Sequence, residues 1–209
     1  MALAVPPLAR TILDALYTCI FLFEDLPTRA EWYMCSGWRE LAEYIDRAKR
    51  DYGSDPVWME YFAVADPALA NLMNLIGKPA SELRGTKWWP TPPQMKGSVK
   101  DPSTAAFFGY LDDWFNREFS QISHLSLPGL IHSAGALLDR ADGEEKIEQM
   151  RGYHFMQVVM LLISLYSEME AELKIGVAGD LKYVWEMLNQ HYPFAKELYD
   201  GRGYASRLV

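Results

Sequence analysis

The chain has 209 residues, half of them hydrophobic and 13% aromatic, which is enough for one substantial core and excludes a disordered protein. Its 20 basic and 28 acidic residues leave a formal charge of −8, which argues against broad electrostatic binding to a nucleic-acid backbone. Cys19 and Cys35 lack metal-ligand spacing and point to a reduced interior, so no disulfide scaffold and no metal are expected.

The longest apolar run, Ala15 to Phe23, falls well short of the roughly 20 residues that a membrane span needs. The first residues, Met-Ala-Leu-Ala-Val-Pro-Pro, carry no charged region of the kind that opens a signal peptide. No membrane association and a cytoplasmic location are expected.

Pro6 and Pro7 can open a helix, because proline fits the first turn, where its missing N–H has no partner. Leu8 to Asp25 then reads as a helix apolar nearly all round and central in a bundle, with Arg10 and Asp14 spaced to pair. After a break at Leu26-Pro27-Thr28 a second helix is expected to about Tyr52, with Thr28 and Glu31 as a capping box. Met34, Trp38, Leu41 and Ile45 form its inner stripe; Arg39, Glu43, Arg47 and Arg50 face solvent. Asp55 caps the next helix with Pro56 in its first turn, and Asp66-Pro67 is expected to kink or restart it.

Residues 77 to 102 hold Lys78-Pro79, Gly85, Trp88-Trp89-Pro90, Pro92-Pro93 and Asp101-Pro102, and read as one long loop. Trp88 and Trp89 each carry too much apolar surface to stay in water, so they are expected to fold back on the domain or to contact a partner.

A helix from Ser103 to about Ser123 follows, with Phe108, Leu111, Phe115, Phe119 and Ile122 as its inward stripe. Asp113, Arg117, Gln121 and His124 follow the same steps on the other face. Leu130 to Arg140 forms a short helix bearing His132, and Glu144 to Lys174 a long one whose middle, Phe155 to Leu165, is expected to be buried. Glu168, Glu170 and Glu172 read as its solvated end, and His154 as a core histidine. Asp180 is expected to cap a further helix through His191, and Pro193 to start a terminal one. No strand pattern or repeat is present. The reading is all-α: a single domain, 1–209, built as one bundle of about seven helices with one long loop (77–102).

Little in the motifs carries chemistry. There is no Gly-rich phosphate loop, CxxC, HExxH or Gly-x-Ser-x-Gly elbow, and the four histidines have no zinc spacing. No cofactor is expected. Arg117 and His124 remain: seven residues apart on a helix, they realign about 10 Å apart along the axis. An arginine can hold a phosphate by two charge-assisted hydrogen bonds, and a histidine exchanges a proton near neutrality. These are sufficient parts for metal-free RNA cleavage. Pairing of Arg117 with Asp113 at i,i+4 is the simpler structural expectation.

Arg117-x6-His124, late in a helix of an all-α domain of this size, is similar to the Arg-x4-6-His signature of the HEPN (higher eukaryote and prokaryote nucleotide-binding) ribonucleases. A further resemblance, over most of residues 10 to 140, is to a bacterial family of helical proteins related to that group. It rests on Arg10-Thr-Ile-Leu-Asp14, Glu24-Asp-Leu-Pro-Thr-Arg-Ala30 and Phe119-Ser-Gln-Ile-Ser123. Two positions depart from that family: its first acid is usually glutamate where this chain has Asp14, and its histidine falls where this chain has Leu127, with His124 and His132 on either side.

The resemblance implies a metal-independent endoribonuclease of a bacterial defence or toxin–antitoxin type, acting as a homodimer whose Arg-His pairs share a cleft. Arg117 and His124 would be catalytic, with Asp113, Ser123 and His132 in support. The alternative is a non-catalytic helical binding or regulatory protein, antitoxin-like, that meets an RNA or protein partner through Trp88 and Trp89.

Overall fold

The computed structural model describes residues 5–117 and 142–209. Among these the chain is all-helical, with ten α-helices and one turn of π-helix. They are α1 (Val5–Phe23), α2 (Leu26–Tyr52), α3 (Pro56–Ile76), α4 (Ala80–Arg84), α5 (Pro92–Ser98), α6 (Pro102–Leu111), the π turn (Asp112–Asn116), α7 (Gly143–Leu173), α8 (Ala178–His191), α9 (Pro193–Arg202) and α10 (Tyr204–Arg207). None of these helices is long and apolar enough to cross a membrane. Their contacts divide into two compact units, Leu22–Thr91 and Met1–Phe21 with Pro92–Val209.

In the smaller unit α2 and α3 form a hairpin. Ile45 and Ala48 meet Phe62 and Trp58 near the turn, while Cys35 and Trp38 lie with Met73 and Ile76 at the far end, so the helices run antiparallel. Asp55 caps α3 by accepting the Val57 N–H at 2.8 Å, and Gly77 ends it in the left-handed region at φ 76°.

The helix does not restart at Pro67: α3 runs through it. Proline there removes the bond to the Ala63 carbonyl, and because Ala63 and Pro67 are both exposed, water can take that acceptor. The capping box at Thr28 is also replaced, since α2 already begins at Leu26 with Pro27 in its first turn. The stretch from 77 to 102 is not one loop, because α4 and α5 form within it.

In the larger unit α1 buries Leu13, Leu16, Tyr17 and Ile20, and Tyr17 meets Phe108 of α6 edge-on at 5.1 Å. The cap of α6 is Asp101, two residues before the expected start at Ser103; its carboxylate accepts the Thr104 N–H at 2.8 Å and hydroxyl at 2.7 Å. Those bonds hold its carboxyl below the ordinary aspartate range.

The end of α7 corrects the sequence reading most sharply. Glu168 is wholly buried and accepts four hydrogen bonds: from Arg202 at 2.9 and 3.0 Å, and from Arg207 at 2.7 and 3.0 Å. Glu170, also buried, accepts the Gly176 and Val177 N–H groups at 2.7 and 2.9 Å and closes the turn into α8. Only Glu172 stays at the surface, paired with Arg207.

Candidate functional site

The residues with chemical potential that the structure gathers lie around the π turn. Arg117 donates its backbone N–H to the Asp112 carbonyl, five residues back, so one extra residue is accommodated in the turn. Such turns are frequent at functional sites because they re-aim side chains without ending the helix.

Asp112 is the hub. Its Oδ1 accepts the Tyr17 hydroxyl at 2.8 Å and the Asn116 amide at 3.2 Å, while Lys96 Nζ lies 3.2 Å from Oδ2. Burial, then the hydrogen bond to Asp112 and its charge, push the Tyr17 phenol far above its ordinary range. One helical turn before Tyr17, Arg10 Nε bonds Asp14 Oδ2 at 3.2 Å, as the i,i+4 spacing predicts. Two acceptors in this cluster, Asp14 Oδ1 and Asn116 Oδ1, are closed off from solvent and meet no donor. Asp112 is thus fixed and largely neutralised, and Asp113 is left as the acid that meets Arg117.

That meeting is loose. Arg117 lies 3.7 Å from Asp113, and their side chains are 73% and 71% exposed. An exposed pair of this kind contributes roughly 0–1 kcal/mol, less than a bidentate arginine–phosphate contact. Arg117 is therefore available to an anionic ligand. His124, Ser123 and His132 lie outside the described residues. Among the described residues no three His, Cys, Asp or Glu side chains come together as a metal site.

The tryptophans sit in the smaller unit. Trp89 packs edge-on against Trp32 at 5.1 Å and Tyr33 at 4.9 Å, and its backbone N–H donates to Ser36 Oγ at 2.7 Å. Trp88 lies under the Arg39 guanidinium, 4.1 Å from the ring centroid, with half of its surface exposed. Arg39 also donates to the Thr86 carbonyl, so it clamps this segment instead of only facing solvent. The pair is held by its own unit, and only Trp88 keeps surface for a partner.

Periodicity alone did not disclose Asp112, Tyr17, Lys96 or Glu168 as members of polar networks. Tyr17 and Asp112 are 95 positions apart, and nothing local marks that pairing.

No protein-family model, curated protein or solved structure matches the chain.

Proposed function

We propose that the chain is a HEPN-like protein of bacterial defence or toxin–antitoxin type that cleaves RNA without a metal. The observation that carries this reading is the exposed Arg117 guanidinium, held only by a long, solvated contact to Asp113. A phosphodiester can displace that carboxylate and accept two parallel N–H bonds from the arginine. His124 then accepts the proton of the 2′-hydroxyl, the 2′-oxygen attacks phosphorus and the bond from phosphorus to the 5′-oxygen breaks. A proton returned to that oxygen completes the step, and Arg117 stabilises the charge on the phosphoryl oxygens throughout. The Tyr17–Asp112–Asn116 bonds support this reading by fixing the turn from which Arg117 projects.

The test is incubation of single-stranded RNA with the purified full chain in EDTA. Wild type should cut, and Arg117→Ala and His124→Ala should each lose at least about 100-fold in rate, the scale of a lost acid–base or electrostatic contribution. Retained cleavage in either variant would remove that residue from the chemistry.

A second reading, a non-catalytic binding protein, is favoured by a specific observation. Asp113 lies one helical turn before Arg117, in a chain of net charge −8, and this exposed acid opposes a polyanion. A folded wild type that neither cuts nor binds RNA would put this reading first.

A further inference from the structure

Beside the first half of α7 the larger unit is open. An apolar hollow of about 490 Å³, an ordinary size for a small-ligand site, is lined there by Gly152, Tyr153, Phe155, Met156, Tyr192 and Phe194. Gln149, Gly152, Tyr153, Met156 and Met160 follow one face of α7 at steps of three and four, so the helix supplies its floor. The other wall comes from the junction of α8 and α9. The residue before a proline is driven to extended backbone; Tyr192 accordingly takes φ −132° and ψ 107° before Pro193, and its ring and that of Phe194 complete the hollow.

Gly152 lies inside α7, and a methyl group placed on it would meet nothing within 4 Å beyond the local helix backbone. Neither strain nor crowding requires glycine there, and glycine weakens a helix relative to alanine. What its missing side chain leaves is depth in the floor. None of the described residues lining the hollow is charged, and Tyr153, Phe155 and Tyr192 remain exposed to solvent. Four aromatic rings without a charge suit a neutral, flat occupant.

The hollow leads toward Arg117. Tyr153, Met160 and Phe194 also line a narrow cleft with Tyr110 and Trp114. Trp114 packs on Phe194 at 5.6 Å between ring centres and keeps 44% of its surface exposed. It stands three residues before Arg117, on the neighbouring turn. A neutral aromatic hollow, joined by exposed rings to a loosely held guanidinium, matches the two halves of a nucleotide: a base that stacks and a phosphate that takes arginine.

We propose, resting on the ribonuclease reading for the role of Arg117, that the hollow seats an unpaired base of the RNA strand whose backbone Arg117 holds. Adenine fits best. A purine offers the larger stacking face, and Gln149 gives one amide N–H to Glu145 at 3.0 Å, which leaves its carbonyl and second N–H at the rim for the edge of the base. Double-stranded RNA is excluded, because its bases are already paired and stacked. Stacking on rings also gives a strand of phosphates a hold on a chain of charge −8 that electrostatics does not.

The test is fluorescence anisotropy of the full chain with short labelled 2′-O-methyl oligonucleotides, which lack the free hydroxyl that cleavage requires. Oligoadenylate should bind about tenfold more tightly than an abasic strand of the same backbone and length, the scale of one stacked base. Phe155→Ala, at an exposed position, and Gly152→Phe, which fills the floor, should each bring the two affinities together with the helical circular dichroism unchanged. Arg117→Ala should weaken both strands by a similar factor and keep their ratio. Equal affinity for the two strands, no binding of either, or a ratio that survives both hollow variants would overturn the proposal. Cleavage is read separately on unmodified RNA: a wild type that shows the ratio but does not cut keeps the base seat and loses the ribonuclease reading, and one that cuts without the ratio does the reverse.

Discussion

Replacing Glu168 by alanine is the perturbation whose magnitude the structure fixes best. The carboxylate has no exposed surface, and the side chains of Arg202 and Arg207 are only 10% and 22% exposed. Removing it takes away four charge-assisted hydrogen bonds and strands a guanidinium that is nine-tenths buried. Breaking a buried pair from one side costs about 3–5 kcal/mol, a large share of a domain stability of about 5–15 kcal/mol. Urea unfolding followed by circular dichroism should show that loss in the midpoint with little change in slope.

The same account predicts that Glu168→Leu combined with Arg202→Met and Arg207→Met recovers most of the loss, because the stranded charges leave with their partner. The pH dependence has a definite sign. Burial alone would raise the Glu168 carboxyl, but the hydrogen bonds from both arginines outweigh it and hold the group below its ordinary value of 4.5. Its contribution is therefore complete above about pH 4.5 and is lost as the pH falls through the depressed native value. A Glu168→Ala loss under about 1 kcal/mol at neutral pH, or an unchanged acid limb in that variant, would refute the reasoning.

Arg117→Ala should change stability by no more than about 0.5 kcal/mol in the same assay, since the side chain is exposed and loosely paired. Trp89→Ala should cost about 3 kcal/mol, whereas Trp88→Ala should cost about 1 kcal/mol, chiefly the stacked Arg39; intrinsic fluorescence during unfolding reports both. Pro67→Ala should stabilise by about 1–2 kcal/mol, because it restores an interior helix bond at a position already helical; the thermal midpoint reads this. Tyr17 should not ionise in the folded protein as the pH passes 10. Its raised phenol makes stability complete below about pH 10 and progressively smaller above it, which absorbance at alkaline pH and Tyr17→Phe together check.

The helices were legible wherever apolar spacing met a proline, glycine or acidic cap. Asp55-Pro56 starts α3, Gly77 closes it, and Pro193 opens α9, each where the sequence places it. Three other features have no local signature. The π turn was invisible because counting at 3.6 residues per turn assumes every turn is α, so the phase of Phe108 and Leu111 against Arg117 cannot be carried across it. Glu168 was misread because its partners lie 34 and 39 residues downstream, and an isolated glutamate at a helix end looks the same buried or solvated. The middle of α7 was expected to be buried from its apolar run, but composition cannot say which side meets the core; here Val158, Met160 and Leu161 turn inward beside His154, Gln157 and Ser164, while Phe155, Leu162 and Tyr166 stay exposed. Of the proposed site, the exposed Arg117–Asp113 pairing followed from i,i+4 spacing. The Asp112 hub that steadies it depends on Tyr17 and Lys96 from distant stretches.

The most direct measurement of the central claim is the chemistry of the RNA ends left after incubation with the wild-type chain in EDTA. Attack by a 2′-oxygen on a phosphate held by Arg117 predicts 2′,3′-cyclic phosphate and 5′-hydroxyl ends, both absent with Arg117→Ala. Ends bearing 3′-hydroxyl and 5′-phosphate, or intact RNA with a folded wild type, would contradict it.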